Sequence, residues 1–389
     1  MKSKKKNFRV VQKKIKGKKT RHRTWFVLGA VGVLVLVIVV GLLIHSRQTY
    51  GRIEVIGTYE NAASDNGNYI SYADGILRYS RDGVALFNIE GEELWNQPCQ
   101  IQSPIIEMCG NTAVMGDKDG TSVLVLEQTG IKGEFQTARP IEQLAVSSQG
   151  IVAAVLKDEV TPKVVCYDAK GNVLIEQKAS LVNTGYPLDI AISPDGKTLL
   201  VSYLCINETS VSTDVVYYNF SEERTKSGEF EVARTTYAGQ MIPTVSFLDE
   251  SISLLLSDKA LILWEGTGSP KELTQVSISG EIEQAAYNDR YISLVVDSEE
   301  TDSRELHIYN KKGQQKTVSP LEEEYAHMTM SEREIIMYED NRCYIQDVSG
   351  VVKYAGEIEL GVETIAQIGG IMKYIVAGNN GIYKIQLKK

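Results

Sequence analysis

Histidine, tryptophan and closely spaced cysteines, the residues that most often reveal chemistry in a sequence, are scarce here. Of four histidines in 389 residues, only His307 and His327 follow residue 50. Few candidates are left for a histidine-based nucleophilic site or a histidine-rich metal site. His307 stands in the alternating run Leu306-His307-Ile308-Tyr309 and reads as a residue packed on a strand face. The cysteines Cys99, Cys109, Cys166, Cys205 and Cys343 form no CxxC pair and have no histidine at ligand spacing, which argues against structural zinc. Each sits in or beside an apolar run, so buried thiols are expected, with Cys99 and Cys109 the nearest pair if an oxidising compartment permits a disulfide. Helical 3-4 periodicity is missing after residue 46, and acid is missing altogether from residues 1–24.

Those first 24 residues hold twelve Lys or Arg, while the rest of the chain holds 29 basic and 50 acidic residues. A net charge of −9 thus conceals a tail of +12 and a remainder of −21. Between the two, Trp25 to Ile44 reads WFVLGAVGVLVLVIVVGLLI, twenty residues without a charge. At about 1.5 Å per residue that is about 30 Å, the thickness of a bilayer core, and in lipid an apolar segment must satisfy its own backbone as a helix. The sequence predicts a spanning helix bounded by Trp25, Phe26 and Ile44, with the basic tail cytoplasmic and in contact with anionic lipid. Gly29, Gly32 and Gly41 make no GxxxG seam, so the helix reads as an anchor. A cleaved signal peptide is the competing reading, but the apolar run is longer than its usual core and Leu43-Ile44-His45-Ser46 offers no small-x-small cleavage site. The net −21 beyond the anchor disfavours a nucleic-acid partner.

Beyond a linker at 45–51, the stretch 52–389 is built from one recurring unit: a short apolar strand, a turn that usually contains Gly, and a second strand. Its copies are VALFNIEGEELW from Val84, VLVLEQTGIKGEF from Val123, VVCYDAKGNVLIE from Val164, VVYYNFSEERTKSGEF from Val215, LILWEGTGSPKELTQ from Leu261, LHIYNKKGQQKTV from Leu306, CYIQDVSGVVKY from Cys343 and IYKIQLKK from Ile382. They start 37 to 51 residues apart, and two further strand-like runs lie upstream of each, as in LAVSSQGIVAAVLKD from Leu144. Four strands per roughly 40-residue repeat is the sequence form of a β-propeller. The last copy ends after its third strand, whereas Arg52-Ile53-Glu54-Val55-Ile56-Gly57 is a strand with no unit of its own. Pairing the two would close the ring and remove two exposed edges. The expected fold is all-β, an eight-bladed propeller closed by a 3+1 blade in which Ile53 and Val55 mark the closing strand. Seven blades, with one weak unit miscounted, is the alternative.

Val84-Ala-Leu-Phe-Asn-Ile-Glu-Gly-Glu-Glu-Leu-Trp95 resembles the repeat of quinoprotein-like propellers, and Ile190-Ala-Ile-Ser-Pro-Asp-Gly-Lys-Thr-Leu-Leu-Val201 is similar to the strand-turn-strand of WD40-like and YVTN-type propellers. As an architecture, the domain beyond the anchor resembles membrane-anchored, uncharacterised bacterial propellers akin to the outer-membrane assembly lipoprotein, with specific likeness at those two sites only. That resemblance implies an interaction platform. Quinone enzymes of this architecture use a vicinal cysteine pair and a tryptophan floor; no two cysteines are adjacent here, and Trp95 and Trp264 are the only tryptophans beyond residue 50. Ser80-Arg81-Asp82-Gly83 lacks the spacing of a sialidase Asp box. Asp117-Lys118-Asp119-Gly120 starts like a calcium loop but lacks the terminal Glu, so it reads as a turn. The runs Asp297-Ser298-Glu299-Glu300 and Glu322-Glu323-Glu324 read as solvated loops and leave calcium open, and Asn207-Glu208-Thr209 matches a glycosylation sequon.

These features predict a non-enzymatic, single-pass membrane protein, N-terminus inside. Its extracellular or periplasmic propeller would be a binding or scaffold module for a protein or cell-envelope polymer, without a cofactor. Only the short linker would separate it from the bilayer, a reach of at most about 25 Å. The competing class is an extracellular glycan-active enzyme with carboxylates in the propeller channel. Two carboxylates about 5–10 Å apart beside an aromatic platform would favour it, and a channel plugged by apolar side chains would count against it.

Overall fold

The computed structural model describes Val31, Val33 and residues 47–59, 67–159, 161–178, 185–207, 210–370 and 372–389. The span expected over Trp25–Ile44, including Trp25, Phe26 and Ile44 themselves, lies outside the described residues except for Val31 and Val33, as does the basic tail. Among the described residues no helix is long and apolar enough to cross a membrane. Tyr50–Lys389 makes up one unit of the chain and residues 1–49 another.

The second unit contains eight four-stranded antiparallel sheets, which excludes the seven-bladed alternative. Blades 1 to 7 span residues 68–98, 104–136, 141–178, 186–238, 244–277, 280–320 and 327–357, each with its strands in sequence order. Blade 8 joins Val362–Gln367, Lys373–Gly378 and Gly381–Lys388 to Arg52–Tyr59. First strands of adjacent blades pack side by side, as in blades 2 to 5, and so lie nearest the axis.

The sequence pattern follows from this layering. Middle strands are covered on both faces and are apolar throughout: every residue of Val152–Leu156 is buried, as is all of Ala260–Trp264. Fourth strands face solvent on one side and alternate, as in Gln315–Pro320. Eight apolar clusters fill the eight blade interfaces, one to each. Blade 3 thus meets blade 4 through Val155, Val164, Val201 and Val216, and blade 8 meets blade 1 through Ile76, Ala85, Ile375 and Ile382.

The turn glycine of the repeat has a specific task. In blades 1, 3, 6 and 7 the turn between third and fourth strands starts with Asn88, Asp168, Asn310 or Asp347, whose Oδ1 accepts from the backbone N–H groups two and four residues on. The glycine three residues on has φ between +71° and +88°. It also lies against the outer strand of the preceding blade: a Cβ at Gly91 would fall 2.1 Å from Tyr59 Cγ, and one at Gly171 2.6 Å from Phe135 Cβ. Each such turn therefore needs glycine twice, for its backbone and for blade packing. Blade 4 departs from the all-strand expectation. Its third and fourth strands are joined through a short helix, Glu222–Ser227, ended by Gly228 at φ 75° with its N–H on Arg224 O at 2.9 Å.

The ring is closed by Arg52–Tyr59 running antiparallel to Gly381–Lys388, with Ile53 opposite Leu387 and Val55 opposite Ile385. Ile53 packs into the interface of blades 7 and 8, and Tyr59 into that of blades 8 and 1. Val55 is 46% exposed, so its contribution is strand pairing. The propeller's hold on the chain starts two residues earlier. Tyr50 N–H donates to Lys353 O at 2.8 Å and Gly51 N–H to Lys388 O at 3.0 Å. Lys353 is itself a buried cation; its Nζ lies 3.2 Å from Asp347, near buried Glu334, whose carboxylate accepts from Tyr374 Oη at 2.7 Å. Burial pushes the Glu334 carboxyl up, and Tyr374 and Lys353 draw it back down.

Candidate binding surfaces

Strand polarity gives the propeller two unlike faces. Connections from first to second and from third to fourth strands lie on one face, here called lower; adjacent blades join there, as Ser148 Oγ on Pro194 O at 2.6 Å and Asn288 Nδ2 on Ser331 O at 3.2 Å. Connections from second to third strands and from blade to blade lie on the upper face. The closing strand starts at Arg52 beside Lys388 and ends at Tyr59 beside Ile382, so the chain enters and leaves at the lower face.

The axis holds a cavity of about 220 Å³ walled by the first strands of blades 2 to 6. Glu107, Asp189 and Tyr287 reach it from blades 2, 4 and 6, beside Ser246 and Phe247 of blade 5. Asp189 accepts from Val245 N–H at 2.7 Å and from Ile190 N–H at 2.9 Å. Burial outweighs both bonds and pushes its carboxyl up to about 6. Glu107 keeps contact with water in the channel, yet protein surrounds it closely; burial, then the charge of Asp189, pushes it up to about 7. A retaining or inverting hydrolase needs one carboxyl protonated and the other ionised, with environments that drive the two apart. Here both move the same way.

The shift at Glu107 has a measurable consequence. A carboxyl whose pKa is raised on folding favours the folded state fully below its ordinary value of 4.5 and loses that contribution as pH rises through about 7. Glu107→Gln should therefore be more stable than the native chain at pH 8, by about 1 kcal/mol once solvent contact is discounted, and approach equality with it below about pH 4. Urea denaturation at the two pH values measures the difference.

The upper face carries a larger opening. Between blades 5 and 6 the first strands, Thr244–Phe247 and Gly280–Tyr287, approach at their lower ends, where Ser246 bonds Tyr287, but otherwise make little contact. The gap widens upward into an open cleft of about 1010 Å³. Its walls carry five carboxylates, Asp258, Glu281, Glu283, Glu299 and Glu300, against the single cation Lys259, and all six side chains are exposed. Glu283 is held by Arg304 at 2.5 Å.

Of the residues singled out from sequence, Glu299 and Glu300 line this cleft and Cys109 lines the axial cavity; the others fall elsewhere. His307 is half-buried on the third strand of blade 6, with Nε2 2.8 Å from Glu305 and Nδ1 3.2 Å from Tyr309 Oη. His327 stacks on Tyr338 with ring centroids 5.1 Å apart. Asp117 ends the strand Thr112–Asp117, its carbonyl accepts from Gly120 N–H at 2.9 Å across the turn that follows, and its Oδ1 accepts from Gln102 N–H at 3.0 Å and Ser103 N–H at 2.9 Å. All five cysteines are free thiols. Among the described residues no three His, Cys, Asp or Glu side chains converge as metal ligands would.

Residues 46–387 match the family described as "Family of unknown function (DUF5711)". The chain belongs to the DUF5711 family. No curated protein matches it. Among solved structures this DUF5711 chain is similar to BamB from Moraxella catarrhalis, at 12% identity and a TM-score of 0.54 over 87% of this chain and 98% of BamB. It is also similar to the computationally designed Ika8 protein, at 13% identity and a TM-score of 0.56 over 86% of this chain and 99% of Ika8. At such identities the likeness concerns the fold alone. The features of this chain that sequence reasoning passed over are the axial pair and the gathering of Glu299 and Glu300 with Asp258, Glu281 and Glu283 in one cleft. The axial pair left a signal, since Glu107 in Ile105-Ile106-Glu107-Met108 and Asp189 in Leu188-Asp189-Ile190 are lone acids within apolar first strands.

Proposed function

We propose that this DUF5711 member is a non-enzymatic, single-pass membrane protein whose extracytoplasmic propeller binds a protein or cell-envelope polymer on its upper face. The observation that carries the reading is the contrast between the two openings. The upper cleft of about 1010 Å³ is open, rich in carboxylates and large enough for a polymer segment, whereas the axial cavity of about 220 Å³ falls below the roughly 300–1,000 Å³ of usual ligand sites. Chain entry at the lower face leaves the upper loops free. Anchorage rests on the uncharged stretch Trp25–Ile44 and its basic flank.

Glu107 and Asp189 are the one observation that favours the second reading, a glycan-active enzyme, because they place two carboxylates beside Tyr287 in one cavity. Photo-crosslinking in intact cells separates the two. A crosslinker at Glu299 on the upper face should capture an envelope protein or polymer that one at Asp195 on the lower face does not. Capture at neither position, together with a glycan hydrolysis abolished by Glu107→Gln, would replace the binding reading with the enzymatic one.

A further inference from the structure

The second and third strands of blade 4, Thr198–Asn207 and Ser210–Asn219, are the longest in the propeller. Their first-strand neighbour starts at Tyr186 opposite Leu204, so Cys205, Ile206 and Asn207 carry the hairpin about 10 Å farther, at about 3.3 Å per residue, on the upper face. Ile206 and Val211 face each other across this projection and are 70% and 44% exposed. Met241, 44% exposed, stands in the connection that follows blade 4. A folded domain gains nothing from exposing two large apolar side chains at a hairpin tip and a third in the connection beside it.

Hydrogen bonds tie that tip to the acidic cleft. Gly239 N–H donates to Val211 O at 2.9 Å, Ile242 N–H donates to Thr213 Oγ1 at 3.2 Å, and Asp258 N–H, on the cleft wall, donates to Met241 O at 3.3 Å. Apolar tip and cleft are therefore one held surface. Within the cleft, Gly280–Tyr287 is the edge strand of its sheet, and Thr244–Phe247 diverges from it toward the upper face. An edge strand beside a gap accepts an extended segment through backbone pairing.

We infer that this surface is a docking site for an extended, basic segment of a partner protein. Its backbone would lie along the upper part of Gly280–Tyr287, its lysines or arginines would meet Glu281, Glu299 and Glu300, and its apolar side chains would cover Ile206, Val211 and Met241. Charge complementarity selects the occupant. With Glu283 held by Arg304, the four remaining carboxylates against one lysine repel an acidic polymer or an anionic lipid surface, and the apolar tip requires more than a bare polycation. The inference rests on the binding role of the upper face and names the partner's chemistry.

The test uses the purified full-length chain and a fluorescent 14-residue peptide of alternating Lys and Leu, read by anisotropy against a blank of the solubilising detergent. Saturable binding is expected, absent for the same peptide with Glu in place of Lys. Ile206→Ser with Val211→Ser, and separately Glu281→Gln with Glu299→Gln and Glu300→Gln, should each weaken it about tenfold. Glu250→Gln with Asp289→Asn, on the lower face, should leave it unchanged. All these side chains are solvent-facing, and thermal unfolding of each variant verifies that the fold is kept. Absence of saturable binding overturns the inference, and so does equal weakening by upper- and lower-face variants, which would reduce the attraction to net charge. If the peptide fails while the Glu299 crosslinker still captures a partner in cells, the docking chemistry is wrong and the binding role of the upper face stands. Failure of both removes the binding role as well.

Discussion

A chain that begins at residue 60 should lose cooperative unfolding, whereas one that begins at residue 50 should unfold in a single transition. The difference is the closing strand. Removing Tyr50–Tyr59 takes Tyr50 and Ile53 from the interface of blades 7 and 8 and Tyr59 from that of blades 8 and 1. At about 1.5–3 kcal/mol for each fully buried large apolar side chain, and less for these half-buried ones, the loss is several kcal/mol before any backbone pairing is counted. A domain's whole stability is about 5–15 kcal/mol. The deletion also bares the edge of Gly381–Lys388, an invitation to pair with another chain. Gly91→Ala attacks the same seam without removing it, because the added Cβ falls 2.1 Å from Tyr59 Cγ. Guanidinium titration monitored by circular dichroism, with light scattering for aggregation, measures all three.

Lys353→Met is expected to destabilise the propeller by about 3–5 kcal/mol at pH 8, the usual result of removing one member of a buried ionic group. Glu334 and Asp347 would keep their charges in a site that no longer offers a cation. The effect depends on pH in a definite direction. Without Lys353 the Glu334 carboxyl moves further up, and a group with a raised folded-state pKa stabilises the fold at low pH and withdraws that contribution as pH rises. The deficit should shrink toward pH 5, and Glu334→Gln added to Lys353→Met should recover part of it at pH 8. Denaturation of both variants at pH 5 and pH 8 measures this; a deficit equal at both pH values would remove Glu334 from the explanation. Because Lys353 also offers its carbonyl to Tyr50, damage here reaches the seam.

Much of the fold can be read from the sequence because the repeat leaves two marks. Middle strands such as Leu261-Ile262-Leu263-Trp264 are apolar throughout, and turns such as Asp168-Ala169-Lys170-Gly171-Asn172 supply the Asx cap and the glycine that the turn needs. The seam is readable for a different reason: the last repeat lacks a strand and the first segment has one too many. The helix Glu222–Ser227 is not readable, since Glu-Glu-Arg-Thr-Lys-Ser is polar all round and gives no apolar stripe. The axial pair escapes because Glu107 and Asp189 lie in different blades and only ring closure brings them to one cavity. Lys353 looks like an exposed alternating residue of Val352–Glu357, and nothing in that segment announces that Glu334, on another strand of the blade, will bury it. The acidic cleft depends on two first strands diverging, which strand composition does not encode.

The most direct test of a propeller held outside the membrane is thiol labelling in intact cells with a membrane-impermeant maleimide, scored as gain over the unsubstituted chain. Glu299→Cys, on the upper face, should be labelled without permeabilisation, and Ser3→Cys, in the basic tail, only after it. Labelling of Ser3→Cys in intact cells, with Glu299→Cys protected until the cells are opened, would contradict the account.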